Sequence, residues 1–343
     1  MNTVLGYVPS LEHSQPGHPE SPQRMLAIMD LLESTNILSE ISQVDINPAQ
    51  IEQIARVHSK ALIQRIQQTC ERGGGHLDAD TYTTAESFKL ALDAAGTTTK
   101  LCDLIMESKA RNGMALVRPP GHHAERGRVG GFCLFNNIAV AARQAQVVHG
   151  AERVLIVDFD VHHGNGTQEI FYADPTVLYV SIHQFGYFFY PGTGAIGEVG
   201  TGPGHGYTVN IPFPPGAGDR WYLAAFNDLI RPKVKEFSPD LVLVSAGYDA
   251  HWIDPLASAA LSLGGYSNLS AKLIDLADDL CSGNILFVLE GGYHPTALSH
   301  GVLNTLYRLI GYDDVSDPLG PSSGQEQDMT YVLSELRDLH LLI

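Results

Sequence analysis

Positive charge is scarce in this chain. Lys and Arg number 21 against 38 Asp and Glu, for a formal net charge of −17. Phosphate contacts need clustered Lys and Arg, so the balance argues against a general nucleic-acid binder. The balance is compatible with cationic substrates such as lysine-bearing peptides or polyamines, although acidic surfaces also serve solubility alone. Cysteine is scarce as well. Cys70, Cys102, Cys133 and Cys281 are scattered with no CxxC pair, which argues against a disulfide framework and a thiolate zinc site. Long hydrophobic runs are missing too. No stretch approaches about 18 apolar residues, so no membrane-spanning helix is expected. The first residues, Met1-Asn-Thr-Val-Leu-Gly6, lack a basic region followed by an apolar one. A cytoplasmic protein is the expectation.

What is present suits a sizeable core. The chain has 343 residues, 44% of them hydrophobic, and one α/β domain over 1–343 is the simplest reading. There is no internal repeat, low-complexity linker or break in composition. Helical patterns run from Ser21-Pro22 to about Leu38, from Asn47-Pro48 with Ile51, Ile54 and Val57 on one face, over 60–71, and over about 84–111. Further helices are expected near 137–149, 219–237, 266–281 and 296–310, with a last one over 331–342. Between them lie five short apolar runs suited to buried parallel strands: 114–117, 154–157, 177–182, 241–244 and 285–289. This alternation predicts a helix-flanked parallel sheet.

Each of the five strands is followed at once by an unusual polar segment. These begin at Arg118-Pro-Pro-Gly-His122-His123, Asp158-Phe-Asp160-Val-His162, His183-Gln184-Phe185, Ser245-Ala-Gly-Tyr-Asp249 and Glu290-Gly-Gly-Tyr293. The third runs on to Tyr190-Pro-Gly-Thr-Gly194. Open parallel sheets bind ligands beyond the carboxyl ends of their strands, so all five segments should converge on one edge. Each has an ordinary reading alone: a solvent-exposed His-His loop, a helix-capping Asp249, a satisfied buried His162. Together those readings require five coincidences at five consecutive strand ends.

Residue types then suggest roles. Alternate residues of a strand share a face, so Asp158, Asp160 and His162 start out pointing the same way. Two carboxylates and an imidazole crowded at a strand end repel and lose solvation unless a cation sits between them. Asp160 and His162 with Asp249 suggest an Asp₂His site for Zn²⁺ or another divalent first-row ion, with a position left for water and substrate. His122 and His123 suit general acid–base work. Tyr293, after two glycines, can donate to a developing oxyanion. Metal, base and donor together describe hydrolysis of an amide or ester carbonyl.

The segments RPPGHHA, DFDVHHGNGTQ, YPGTG, SAGYDA and EGGY resemble the motifs of the metal-dependent histone deacetylase family, which includes bacterial deacetylase-like amidohydrolases and acetylpolyamine amidohydrolases. The resemblance runs from about His18-Pro19-Glu20 to about Tyr307, with the catalytic motifs within 118–293. It implies an arginase-like α/β fold with a central, mostly parallel sheet of about eight strands flanked by helices. It implies Zn²⁺ at Asp160, His162 and Asp249, with Fe²⁺ or another divalent ion as the cellular alternative. His122 and His123 match the tandem histidines, with His123 the better general base. Asp158 matches the partner of His122. Asn165 matches the partner of His123, where the class I pattern has Asp and the class II pattern Asn. Tyr293 matches the transition-state tyrosine. Phe132 and Tyr190, with Gly131 beside them, match the acyl-lysine tunnel; Tyr190 departs from the commoner Phe. Arg24 matches an arginine of the product-exit channel. Asp158, Asp160, His162, Ser181 and Ile182 fall at the family's inner K⁺ site, partly through backbone oxygens.

The resemblance implies removal of acetyl groups from lysine side chains of proteins or peptides. An acetylpolyamine or other small-molecule amidohydrolase is the nearest rival, and a homo-oligomer is compatible with either. Leu256 bears on the choice, because a polyamine-selective relative places a gatekeeping Glu there. A binuclear-manganese ureohydrolase would need more bridging carboxylates, and a non-catalytic acyl-lysine reader would not need the histidines and Tyr293 intact.

Overall fold

The apolar runs become strands because both faces of a helix-covered parallel sheet are buried. The computed structural model describes residues 2–324, 326 and 329–340. Its strands are β1 (Thr3–Val8), β2 (Ser42–Val44), β3 (Gly74–His76), β4 (Tyr82–Thr84), β5 (Asn112–Val117), β6 (Val154–Asp158), β7 (Val177–Gln184), β8 (Thr208–Phe213), β9 (Leu241–Ala246) and β10 (Ile285–Leu289). Eight form one sheet in the order β2-β1-β5-β10-β9-β6-β7-β8, with every neighbouring pair parallel. The parallel sheet of about eight strands expected from the motifs is therefore present.

The five expected strands are β5, β10, β9, β6 and β7, five consecutive neighbours at the centre of the sheet. Strands β1, β2 and β8 are additional, and each lacks a clean apolar run. Gly6 interrupts β1, where a Cβ would lie 2.6 Å from Thr97 Cγ2 in the covering helix. Asn210 and Pro212 interrupt β8, which lies at the sheet edge where proline is tolerated. The sheet divides two cores. Along β6, Leu155 and Val157 face one, and Val154 and Ile156 face the other.

Helix boundaries differ from expectation where tertiary structure overrides periodicity. The helix expected over 84–111 is Ser87–Met106, because Tyr82–Thr84 pairs as a strand with Gly74–His76. The run after Asn47 is helical only over Ile51–Ile54. The helix expected from 266 starts earlier, at Leu263, capped by the Ser262 side chain. The stretch over 219–237 contains a π-helical turn at Phe226–Ile230. The last helix is Thr330–His340; the expected end at Leu342 lies outside the described residues. No described helix is long and apolar enough to cross a membrane.

One buried ion cluster ties the N-terminal segment to the sheet edge. Glu20 and Arg118 are fully buried and joined by two hydrogen bonds, and Arg24 Nη1 donates to the same carboxylate at 3.0 Å. Arg118 also donates to the carbonyls of Pro9, Ser10 and His13. Burial favours the neutral acid, but the Arg118 and Arg24 guanidiniums outweigh it and hold Glu20 down at about 2. A folded-state pKa below the unfolded value contributes stability that is present above the ordinary carboxylate range and lost as pH falls toward 2. Glu20→Ala leaves two buried cations without their carboxylate and should cost about 3–5 kcal/mol in urea unfolding at pH 7. The wild-type advantage over this variant should shrink steadily below about pH 4. An equal advantage at pH 7 and pH 3 would remove the linkage.

Candidate active site

The adjacency of β5, β10, β9, β6 and β7 brings five polar segments to one edge. Asp160, His162 and Asp249 each place a ligand atom within 4.8 Å of the others. His162 Nδ1 lies 3.2 Å from both Asp160 Oδ1 and Asp249 Oδ2. Backbone amides fix the carboxylates: Gly291 N donates to Asp160 Oδ2 at 2.8 Å, and Val161 N donates to Asp249 Oδ1 at 2.9 Å. Phe159 and Val161 alternate with the ligands and point into the core. Two glycines keep the space open. A Cβ at Gly247 would lie 2.1 Å from Asp160 Oδ2, and one at Gly291 would lie 2.2 Å from Asp249 Oδ2.

This donor set fits a divalent cation. Asp158, Asp160, Asp249 and Glu290 are four buried carboxylates at one edge. Burial and the Asp160 charge raise Asp249, and burial with the Asp249 charge raises Asp254 to about 7. Burial likewise raises Glu290 to about 7. Burial opposes a charge on His162, but Asp160 and Asp249 outweigh it and push the imidazole up to about 10. The edge demands positive charge. A single ring proton satisfies one carboxylate at a time, whereas a dication with oxygen and nitrogen ligands satisfies all three groups.

The tandem histidines have different partners. His122 Nδ1 meets Asp158 Oδ2 at 3.0 Å, and the Tyr179 hydroxyl donates to the same oxygen at 3.0 Å. Burial disfavours its charged form, but Asp158, Asp160 and Glu290 outweigh it and hold the ring at about 10. His123 Nδ1 meets Asn165 Oδ1 at 2.8 Å. Asn165 Nδ2 donates to Glu125 Oε1 at 2.8 Å, which fixes which end of the amide faces the ring. An amide oxygen only accepts, so the proton of neutral His123 sits on Nδ1 and Nε2 keeps its lone pair. Burial, then the charges of His122 and His162, lower His123 well below its ordinary value. The two rings, 3.9 Å apart, are thus pushed in opposite directions.

The remaining expected residues gather around this centre. The Tyr293 ring lies 6.0 Å from Phe132, edge to face, and the Arg24 guanidinium lies 5.1 Å from its centroid. Tyr190 stands edge-on to His123 at 5.0 Å. Gly131 has φ +54, and a Cβ there would lie 2.2 Å from the His123 ring. Leu256 is 36% exposed. Arg24 is buried and spends its guanidinium on Glu20 and on the carbonyls of Glu290 and Gly292. Ser181 lies beside Asp158 in register and bonds His183 through its hydroxyl; Ile182 follows it in β7. Cys133 is buried with its Sγ 3.3 Å from Gly131 O, and burial pushes its thiol up, in keeping with a packing role.

Several residues at the site carry no sequence signal of their own. Glu125 orients Asn165, and Tyr179 supports Asp158. Phe189 stacks on His162 at 5.1 Å with planes 3° apart. Glu290 opens a recognised motif, but only the structure shows its Oε2 accepting from Gly121 N and His122 N at 2.7 and 3.2 Å.

Known proteins resemble this chain over most of its length. Residues 18–309 match the sequence profile of the histone deacetylase domain. A rice (Oryza sativa subsp. japonica) protein named histone deacetylase 10, chloroplastic, is 43% identical over 88% of this chain and 72% of its own length. An Archaeoglobus fulgidus protein named as a probable deacetylase is 39% identical over 88% of this chain and 84% of its own. A crystal structure of the HDA15 HD domain superposes with a TM-score of 0.91 at 37% identity, covering 100% of this chain and 96% of that one. These likenesses show a hydrolase acting on acetyl amides, in a family that is generally metal-dependent. The chain belongs to the histone deacetylase family.

The ligand geometry yields a measurement that needs no substrate. Elemental analysis after gel filtration should find close to one divalent ion per chain, and close to none in Asp249→Ala at unchanged circular dichroism. Gly291→Ala pushes a methyl toward both carboxylates and should weaken metal affinity roughly 10–100-fold, the scale of a disturbed ligand support. Full metal content in Asp249→Ala would remove the assignment.

Proposed function

We propose that the protein is a zinc-dependent deacetylase of N-acetyl-lysine side chains in peptides or proteins, releasing acetate. One observation carries this reading: an Asp₂His cluster, two differently partnered histidines and a tyrosine share one sheet edge. Asp160, His162 and Asp249 would hold the zinc. When bound, it supplies Lewis-acid polarisation of the amide carbonyl and makes water more acidic.

The chain's own groups account for the rest. His123 takes a proton from the attacking water on Nε2, because Asn165 keeps Nδ1 protonated. As the C–N bond breaks, His123 returns a proton to the leaving amine. His122, held by Asp158, contributes positive charge to a region where oxyanion charge develops. Tyr293 donates a hydrogen bond to the carbonyl oxygen as it becomes tetrahedral. Phe132 and Tyr190 pack the aliphatic stem, with Gly131 leaving room for the His123 ring. The half-exposed Leu256 offers no carboxylate to a distal ammonium, which favours lysine over polyamine.

The same reading assigns a structural K⁺ to Asp158, Asp160, His162, Ser181 and Ile182, and a product path past Arg24. It also takes 1–343 as one deacetylase domain in the cytoplasm; the rice relative bears a chloroplastic name, so cell fractionation decides the compartment.

The decisive experiment is a competitive turnover screen of acetyl-lysine peptides against acetylated polyamines. A preference for polyamines would overturn the lysine assignment. Tyr293→Phe removes one hydroxyl and should lower kcat roughly 10²–10³-fold with little change in KM, as expected for a donor used only in the transition state. His123→Ala should cost at least ~10²-fold in kcat. Should His122→Ala prove the far worse lesion, the base assignment reverses.

A further inference from the structure

Tyr293 is reached through two glycines, and Gly292 lies at φ +116, a conformation that glycine holds far more easily than other residues. Such a lead-in gives the phenol freedom that its chemistry does not tolerate. Two side chains remove that freedom from opposite sides. Arg24 takes the carbonyls, donating to Glu290 O at 2.6 Å and Gly292 O at 2.7 Å. Asp254 takes the amides, its Oδ2 accepting from Tyr293 N at 2.7 Å and His294 N at 3.2 Å. Its other oxygen, Oδ1, accepts from Leu256 N at 3.0 Å. Asp254 is 5% exposed, so these bonds are shielded from water.

One carboxylate therefore joins two segments with different tasks. Leu256 is partly exposed beside Asp254, whereas the Tyr293 loop reaches the reaction centre. Only a group that accepts through both oxygens spans them; an Asn in the same place offers one acceptor and one donor.

We propose that Asp254 is a positioning residue that couples the partly exposed Leu256 segment to the phenol of Tyr293. The proposal rests on Tyr293 serving as the donor to the substrate carbonyl. A substrate pressing on the Leu256 segment moves an N–H that Asp254 holds, and the same carboxylate passes that displacement to the Tyr293 backbone.

The test is a double-mutant cycle on the full chain, with wild type, Asp254→Asn, Tyr293→Phe and the double variant assayed on an acetyl-lysine peptide. Asp254→Asn alone should lower kcat roughly 10–10²-fold, the scale of a misplaced group, with KM within about twofold and metal content unchanged. In the Tyr293→Phe background the same substitution should change kcat by less than about twofold. An equal loss in both backgrounds overturns the coupling and leaves the deacetylase reading standing. A wild type that does not turn over acetyl-lysine overturns the functional reading instead. Hydrogen exchange then judges the coupling alone. Asp254→Asn should speed exchange at Leu256, Tyr293 and His294 together while β10 stays protected, and unchanged exchange at Tyr293 and His294 overturns it. If Asp254→Asn does not fold, Asp254→Glu, which keeps the charge and shifts both oxygens by one methylene, is read in the same two experiments.

Discussion

Like charge crowded out of water is the constraint on which this molecule turns. Asp158, Asp160, Asp249 and Glu290 end neighbouring strands and are buried together. A sheet does not bring acids together at no cost, and each is compensated in its own way. Asp158 takes an imidazole and a phenol, Asp160 and Asp249 take backbone amides and His162, and Glu290 takes two amides of the histidine loop. A cation held by Asp160, His162 and Asp249 would meet the remaining demand.

The same constraint explains the chain's use of space. Side chains that hold acids in place leave little room, so the backbone comes close. Gly164, Gly247 and Gly291 each stand where a Cβ would touch a carboxylate oxygen, at 2.2, 2.1 and 2.2 Å. The arginines answer from the outer side. Glu20 gathers Arg118, which leads into the histidine loop, and Arg24, which holds the Tyr293 loop. One remote carboxylate thereby anchors two arginines, of which Arg24 bonds the backbone of the Tyr293 loop.

Much of this is legible in the chain before folding. Buried parallel strands advertise themselves as apolar runs, and the five central ones do so cleanly, so the motifs that follow them can be placed on one edge. Strands β1 and β8 are less readable because Gly6 and Pro212 mimic breaks; only the sheet reveals that Gly6 admits Thr97 and that β8 lies at the edge. The Asp160, His162 and Asp249 cluster and the tandem histidines can be picked out from residue type and strand-end placement. Their supports cannot. Neither Glu125 nor Asp254 stands out in the sequence. What each does depends on partners 40 and 39 residues away, a relation that no local pattern encodes.

The amide at Asn165 has a consequence of its own. Held by Glu125, it cannot turn over, and so it presents His123 with an oxygen and never an NH₂. A carboxylate in that place would exchange protons with the ring and give the imidazole two working ports. The amide closes one of them. In the proposed reaction His123 would act as a rectifier in an electrical sense, passing protons through Nε2 alone, with an insulator rather than a conductor at its back.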